Sequence, residues 1–468
     1  MAHKYVTRVC LYLMAANAML SAETYSLTKL NPTSDLKGNS TVYTAALGLN
    51  DLDQVVGIEA TTSPSQAFAV VWTKGAATKL PVPAGYAIAD GFPWFITNTG
   101  EVMGALTTET YPYYPALAVW QATGPDTWSA ATMLEGPSGC QNTPATGSVG
   151  YGINKAGLIV GTSGVYGADC SAAWFWDGSQ FSALAYPVPP GCNGDLFVTS
   201  INDANEISGY FSPTGGPCPD PGTDYYPFIY TAAGGYTTLP SPTGVPGWQT
   251  TKINNQGDVL GFNGPVVFWS STGAQNLGSG GWAGMNDLGQ VSFYAGQSGL
   301  EGDQAEIWRN GTATPVNLPS GASGPFQFLN NAGQLASAPS FNGGSNPALL
   351  LTPRRACASN VTSQVEITAG SLEFNSSTLR YDQTFTLTNA GSDTLGSPIS
   401  LVFDGLPATA TLYGIVGSTL CGTVGSGYVS LAKSLDPGDS AKVDVQFIDA
   451  SGAPITYTNQ VIAGSGGR

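Results

Sequence analysis

The strongest constraint on this chain is a short pattern that recurs along most of its length. It first appears as Leu49-Asn50-Asp51-Leu52-Asp53-Gln54-Val55-Val56-Gly57 and returns as Ile96-Thr97-Asn98-Thr99-Gly100-Glu101-Val102-Met103-Gly104. Further copies run from Ile153 to Gly161, Ile201 to Gly209 and Ile253 to Gly261, and weaker ones begin at Met285 and Leu329. The seven starts are separated by 47, 57, 48, 52, 32 and 44 residues. Self-similarity at this spacing belongs to repeat architectures, in which each unit buries its apolar face against the next.

Each copy has a local physical reading. The leading apolar residue closes a strand, and the Asn after it can bond its own backbone and open a turn. Three residues beyond the Asn position stands Gly100, Gly157, Gly257, Gly289 or Gly333, with Asp53 and Asn205 in the other two copies. Glycine, and after it Asn and Asp, best tolerates the left-handed conformation that ends a three-residue hairpin loop. A second strand follows, then a third that usually ends in an aromatic residue: Ala67 to Trp72, Ala116 to Trp120, Ala173 to Trp176, Phe228 to Tyr230, Val266 to Trp269 and Ala305 to Trp308, with Ala348 to Leu351 a plainer version. A last strand ends in Leu-Pro or similar, as in Thr78-Lys79-Leu80-Pro81 and Thr237-Thr238-Leu239-Pro240. Four short strands in roughly 45 residues is the size of one β-propeller blade.

The seventh unit lacks a fourth strand. Thr28-Lys29-Leu30-Asn31-Pro32 near the N-terminus matches Thr78 to Pro81 and is expected to supply it, closing the ring and leaving no long exposed edge. The units resemble the extracellular HAF repeat family, whose members carry an IN-x-x-G-x-V-x-G run followed by an HAF-x-W-type strand. Here the second element reads Gln66-Ala67-Phe68-Ala69-Val70-Val71-Trp72. The resemblance spans about Tyr25 to Pro353 and implies a secreted, propeller-like protein without implying an activity.

Beyond Arg354-Arg355 the repeats stop. Tyr381 to Asn389 and Lys442 to Phe447 alternate polar and apolar residues, and Ile455-Thr456-Tyr457 opens a last strand. About a hundred residues of this kind read as an Ig-like β-sandwich. The expected all-β organisation is a signal peptide over 1–22, a seven-bladed β-propeller over 23–355 and an Ig-like sandwich over 356–468. The signal peptide rests on basic Lys4 and Arg8, the mostly apolar stretch Val9 to Leu20, and small Ser21 and Ala22 at the cleavage point. That stretch is too short for a membrane span. The expected location is secreted, extracellular.

Composition excludes several functions. The formal charge is −16, which disfavours a nucleic-acid partner because phosphate binding needs a cationic surface. The only histidine is His3, so a mature chain has no imidazole base, no Ser-His-Asp triad and no His-ligated metal. Arg309 is the only arginine within the repeats, too few for a sialidase-like cluster. Six cysteines remain after the leader, none spaced as Cys-x-x-Cys, and an even number in a secreted chain suggests disulfides. Cys140 and Cys170 hold equivalent places in unit three to Cys192 and Cys218 in unit four, on loops expected at the same end of a propeller. The expected bridges are Cys140–Cys170, Cys192–Cys218 and, in the sandwich, Cys357–Cys421.

The longest loops fall at that same end of units two to four. Tyr111, Tyr113 and Tyr114, with Glu109 beside them, and Tyr225 and Tyr226, with Asp220 and Asp224, are the candidate ligand-binding residues there. Trp94, Trp248 and Trp282 enter first strands from that end. Aromatics with a polar handle suit sugar rings or protein surfaces, although such rings also pack between blades. No resident cofactor is expected. Calcium is the one candidate, at Asp220 to Asp224 or Asp51-Leu52-Asp53, but neither provides the roughly six to eight oxygen ligands of a full site, and turn capping is the ordinary role of such acids. The resulting reading is a secreted, non-catalytic binding protein for a polysaccharide or a protein surface. The alternative is a carbohydrate-active, glycoside hydrolase-like enzyme, since two paired carboxylates suffice for that chemistry.

Overall fold

The computed structural model describes residues 24–468 apart from 38–41, 63–64, 89–91, 110–114, 125, 135, 138–147, 165–170, 186–191, 216–224, 243–246, 296–303, 310, 321, 323–324, 338–346, 355–356, 377–379, 408, 414–416, 450–452 and 465. The expected signal segment, Tyr111, Tyr113, Tyr114, Asp220, Asp224, Cys140, Cys170 and Cys218 lie outside the described residues. Among the described residues the fold is all-β, with one short 3-10 turn at Thr362–Gln364, and no helix is long and apolar enough to cross a membrane.

The repeats fold into antiparallel sheets whose strands neighbour one another in chain order. Unit one is the model for the rest: Val42–Leu49, Gln54–Thr62, Ser65–Thr73 and Ala76–Lys79. Units three and four follow it. In unit two both Tyr86–Ala87 and Pro93–Ile96 pair with the second strand, so the first strand is split. Units five and six share one seven-stranded sheet, because Gly273–Met285 serves as the fourth strand of one and the first strand of the next. That continuity accounts for the 32-residue spacing, the shortest in the chain. In unit seven the strand Ala348–Pro353 pairs with the N-terminal strand Tyr25–Leu30, in register from Tyr25 opposite Pro353 to Leu30 opposite Ala348. The N-terminal segment therefore supplies the missing outer strand.

All seven turn positions adopt the left-handed conformation expected of them: Asp53, Gly100, Gly157, Asn205, Gly257, Gly289 and Gly333 have φ between 62° and 83°. The turn Asn works as the sequence suggests. Asn202 Oδ1, for example, accepts from the backbone N–H of Ala204 at 3.1 Å and of Glu206 at 2.9 Å.

A β-bulge interrupts the pairing of every first strand with its second, at equivalent places such as Leu47, Tyr151, Thr199 and Gln327. Bulges bend a strand and increase its twist. At three of them the next residues bring neighbouring first strands into close approach across a glycine. A Cβ at Gly284 would lie 2.0 Å from the Gln327 carbonyl oxygen of the following unit.

The apolar core lies between adjacent sheets. Val56 and Val71 of unit one meet Val102 and Trp120 of unit two, and Val55 and Trp72 of unit one meet Ala336 and Leu350 of unit seven. The second of these clusters joins the last unit to the first. Third-strand tryptophans add a polar tie: the indole N–H groups of Trp72, Trp120 and Trp269 donate to the carbonyls of Asn31, Pro81 and Pro240, each at the end of the preceding fourth strand. The Leu-Pro ending and the third-strand aromatic are thus two halves of one contact.

Residues beyond 356 form two five-stranded antiparallel sheets. Arg380–Asn389 and Ser440–Asp449 in one sheet face Ile399–Asp404 and Thr458–Ala463 in the other across a core that includes Phe385, Phe403, Phe447 and Val461. The last strand starts at Thr458 rather than Ile455, because Ile455 and Tyr457 pack on this core before the ladder begins. Cys357 and Cys421 form the expected disulfide, with Cα atoms 5.9 Å apart. Cys192 is also disulfide-bonded.

Candidate functional site

The turns between first and second strands converge into two concentric hydrogen-bonded belts. In the first, the turn Asn of one unit donates its side-chain amide to the backbone carbonyl at the same position of the next unit. These bonds run from Asn50 to Thr97, from Asn154 to Asn202, and on through Asn254, Asn286 and Asn330 back to Asn50, at 2.9–3.1 Å. Unit two has Thr97 in place of Asn, and a threonine has no amide to pass on to Asn154.

The second belt uses the following residue. The backbone N–H groups of Asp51, Lys155, Asp203, Asn255, Asp287 and Asn331 donate to side-chain oxygens at the same position of the next unit, at 2.7–2.8 Å. In ring order the side chains are Asp51, Asn98, Lys155, Asp203, Asn255, Asp287 and Asn331. Acceptor-only carboxylates alternate with donors for most of the circle. Asn331 Nδ2 bridges Asp51 and Asp287 at 2.9 and 2.8 Å, and Asn255 Nδ2 bridges Asp203 and Asp287 at 3.0 and 3.2 Å. Lys252 joins them from the first strand of unit five, its Nζ donating to the Met285 carbonyl at 2.7 Å.

Burial governs the electrostatics. Desolvation pushes the Asp51 carboxyl upward, helped by the charge of Asp287, and pushes Asp203 upward as well. The same desolvation moves the ammonium groups of Lys155 and Lys252 below their ordinary value, against the pull of nearby carboxylates. Three carboxylates and two ammoniums therefore share a small polar space at the centre of the ring.

The C-terminal sandwich covers this end. Thr411 Oγ1 donates to Asp203 Oδ2 at 2.9 Å, Lys155 Nζ donates to the Ala410 carbonyl, and the Ser418 N–H reaches the Asn331 carbonyl at 3.5 Å. Gly425 lies so close to the unit-one turn that a Cβ there would sit 2.9 Å from the Asp51 carbonyl oxygen. A cavity of about 400 Å³ separates the two parts, with Leu52 and Val424 among its apolar walls and the second belt as its floor.

Of the residues picked from sequence as a ligand site, the described ones, Glu109, Tyr225 and Tyr226, lie toward the opposite end, at the second-to-third loops of units two and four. Glu109 is exposed there. Tyr225 and Tyr226 make different contacts. Tyr226 packs into the core between units three and four. Tyr225 stands edge-on to Tyr210 at 5.2 Å, and Tyr210 stacks on Phe197 at 5.0 Å. Burial, with the hydroxyls of Tyr225 and Tyr151 nearby, pushes the Tyr210 phenol up to about 12. Trp94 donates to the Gly150 carbonyl and packs between units two and three, while Trp248 is buried in the core of unit five. Trp282 lies in the strand Gly273–Met285. Asp51, offered as a calcium ligand, is taken up by the belt, and among the described residues no cluster of three His, Cys, Asp or Glu could hold a metal ion.

The second belt is absent from the sequence reading. Its signal is present nonetheless. Aligning the seven copies on the turn Asn places Asp, Asn, Lys, Asp, Asn, Asp and Asn in the next column, an alternation with no local explanation.

No family model matches this chain, and no curated protein matches it. Solved structures similar to it include a streptogramin B lyase, at 12% identity and TM-score 0.41 over 70% of this chain and 98% of the other. A triple arginine-to-alanine mutant of AofleA from Arthrobotrys oligospora aligns at 10% identity and TM-score 0.30, over 75% and 87% of the two chains. A glutamate-to-alanine variant of fructofuranosidase from Schwanniomyces occidentalis, complexed with fructosylnystose, aligns at 8% identity and TM-score 0.24, over 93% and 99%. These scores carry no inference about function, and the architecture rests on the sheets and belts themselves.

Proposed function

We propose that this chain is a secreted, seven-bladed β-propeller of the HAF-repeat type, capped by an Ig-like sandwich. We propose further that it is a non-catalytic binding protein that engages a carbohydrate chain at the loop end of units two to four. The observation that carries this reading is the placement of the sandwich. It covers the end where the titratable residues gather and leaves the loop end, with Glu109 and the Tyr225–Tyr210–Phe197 aromatic group, as the face for a ligand. The covered carboxylates are also poorly suited to hydrolysis. Each already accepts three hydrogen bonds within the belts or from the sandwich, so their oxygens are committed to structure.

A glycan and polysaccharide array with the chain from residue 23 onward tests this, with bound samples checked for cleavage products. Binding without products, weakened about tenfold (about 1.4 kcal/mol) in Tyr225→Ala, is the expected result. Release of products would replace this reading with the enzymatic one, and binding only to protein partners would move the ligand class from sugars to a protein surface.

A further inference from the structure

The sandwich carries a groove that plays no part in capping the ring. It has a volume of about 390 Å³, within the range of small-ligand sites, and is lined by Gly370, Ser371, Glu373, Phe374, Asn375, Asp382, Gln383 and Thr384. Phe374 is 55% exposed, the most exposed large apolar side chain among the described residues. Leaving a phenyl ring in water forgoes the favourable transfer that burial would give it. The ring is nevertheless held in place, packed against Tyr381 with centroids 5.1 Å apart.

The polar groups around it are fixed as well. Asn375 Nδ2 and Gln446 Nε2 donate to the two oxygens of Asp382 at 2.9 and 2.8 Å, and they hold its carboxyl below the usual range. Ser371 Oγ donates to Glu373 at 2.6 Å. Gln383 ties the floor to the core, donating to the Gly370 carbonyl at 2.9 Å and accepting from Tyr457 Oη. Carboxylates retain acceptor capacity after two hydrogen bonds, so Asp382 and Glu373 can each receive further hydroxyl donors. Arg380 lies over the Tyr413 ring at 3.4 Å and adds a lesser electrostatic pull on Asp382, but it does not line the groove.

From this arrangement we propose that the sandwich groove is a second, independent binding site for a neutral hexose unit of a polysaccharide, with Phe374 as the stacking platform and Asp382 and Glu373 as hydroxyl acceptors. An apolar ring beside fixed acceptors matches the two surfaces of a pyranose, its C–H face and its hydroxyl edge. Two carboxylates without a lining cation disfavour uronate or sulfated chains. The site does not depend on the loop end of the propeller.

The test is isothermal titration of the chain from residue 23 onward with laminarin and galactomannan as neutral probes, alginate as an anionic probe and chitosan oligosaccharide as a cationic one. Wild type, Phe374→Ala, Phe374→Trp and Tyr225→Ala are compared, each checked for an unchanged thermal midpoint. We expect a neutral polymer to bind, Phe374→Ala to weaken it about tenfold, Phe374→Trp to retain it, and Tyr225→Ala to leave this contribution in place. The proposal is overturned if neither neutral polymer binds at millimolar sugar, if only chitosan or alginate binds, or if Phe374→Ala binds as wild type does. Loss of binding in Tyr225→Ala alone would support the propeller loop site and overturn this one.

Discussion

Replacing Asn202 by Ala probes the first belt at a point where every bond is defined. The side chain donates to the Asn254 carbonyl at 2.9 Å and to Glu206 Oε2 at 2.7 Å, and its oxygen accepts from the N–H groups of Ala204 and Glu206. Asn202 is buried, at 2% exposure, so water does not readily replace these partners. The Asn254 carbonyl keeps a second donor, the Gly257 N–H at 3.1 Å, so it is weakened rather than orphaned. At about 1 kcal/mol for each of four lost bonds, Asn202→Ala should cost about 4 kcal/mol. The protein supplies its own control. Thr97 already leaves one gap in the belt, so Thr97→Asn should close the circle toward the Asn154 carbonyl and add about 1 kcal/mol. Urea denaturation followed by tryptophan fluorescence measures both, since Trp72, Trp120 and Trp174 are fully buried in the repeats. If Asn202→Ala costs less than about 0.5 kcal/mol and Thr97→Asn is neutral, the belt is a consequence of packing and not a contributor to it.

Three further outcomes follow from the geometry. Gly284→Ala should prevent the close approach of units six and seven, because its Cβ would lie 2.0 Å from a backbone oxygen that cannot rotate away; a soluble variant with unchanged thermal midpoint would contradict this. Cys357→Ser opens a 64-residue separation and should destabilise the sandwich by about 4 kcal/mol on chain-entropy grounds, read as a denaturation midpoint below that of wild type under non-reducing conditions; an unchanged midpoint would contradict this. Burial raises the Asp51 and Asp203 carboxyls above their usual 3.8, so the folded chain holds protons that the unfolded chain has released. This contribution is fully present below that value and is lost as pH rises through the raised folded values. Asp51→Asn should therefore make the decline in denaturation midpoint across mildly acidic pH shallower, and an equal or steeper decline would refute the assignment.

What was legible in the sequence had local causes. The turn Asn and the left-handed residue three positions later are fixed by the hairpin itself, so they could be read in each copy separately. The N-terminal strand was legible because Thr28 to Pro32 repeats a fourth-strand motif in the wrong place. The second belt was not legible in this way, because Asp51 is matched by Asn98 and Asn331, residues 47 and 280 positions away, and no single copy contains both partners. The docking of the sandwich left still less trace. Apart from the Thr411 hydroxyl, it uses Ala410, Ser418 and Gly425, whose side chains are small or absent, and backbone groups that almost any residue would provide. Tyr226 and Trp248 show the reverse failure: aromatic side chains near a loop look like ligand contacts, yet here they fill the core.

The charge on the covered end bears on how firmly the sandwich is held. Bringing Asp203 and Lys155 out of water is unfavourable for both, and pairing charges in a low-dielectric space offsets that cost only when their remaining hydrogen-bonding capacity is met. Thr411 and the Ala410 carbonyl meet part of it for one residue each. Apolar contact around Leu52 and Val424 adds a non-directional term, but a cavity of about 400 Å³ shows that the surfaces do not mate closely. Docking therefore depends on a few polar contacts to the belt and not on a broad apolar interface. The same contacts that fix the sandwich over the second belt decide which end of the ring stays covered, so weakening them at Thr411 should alter access to the ring centre before it alters the loop end.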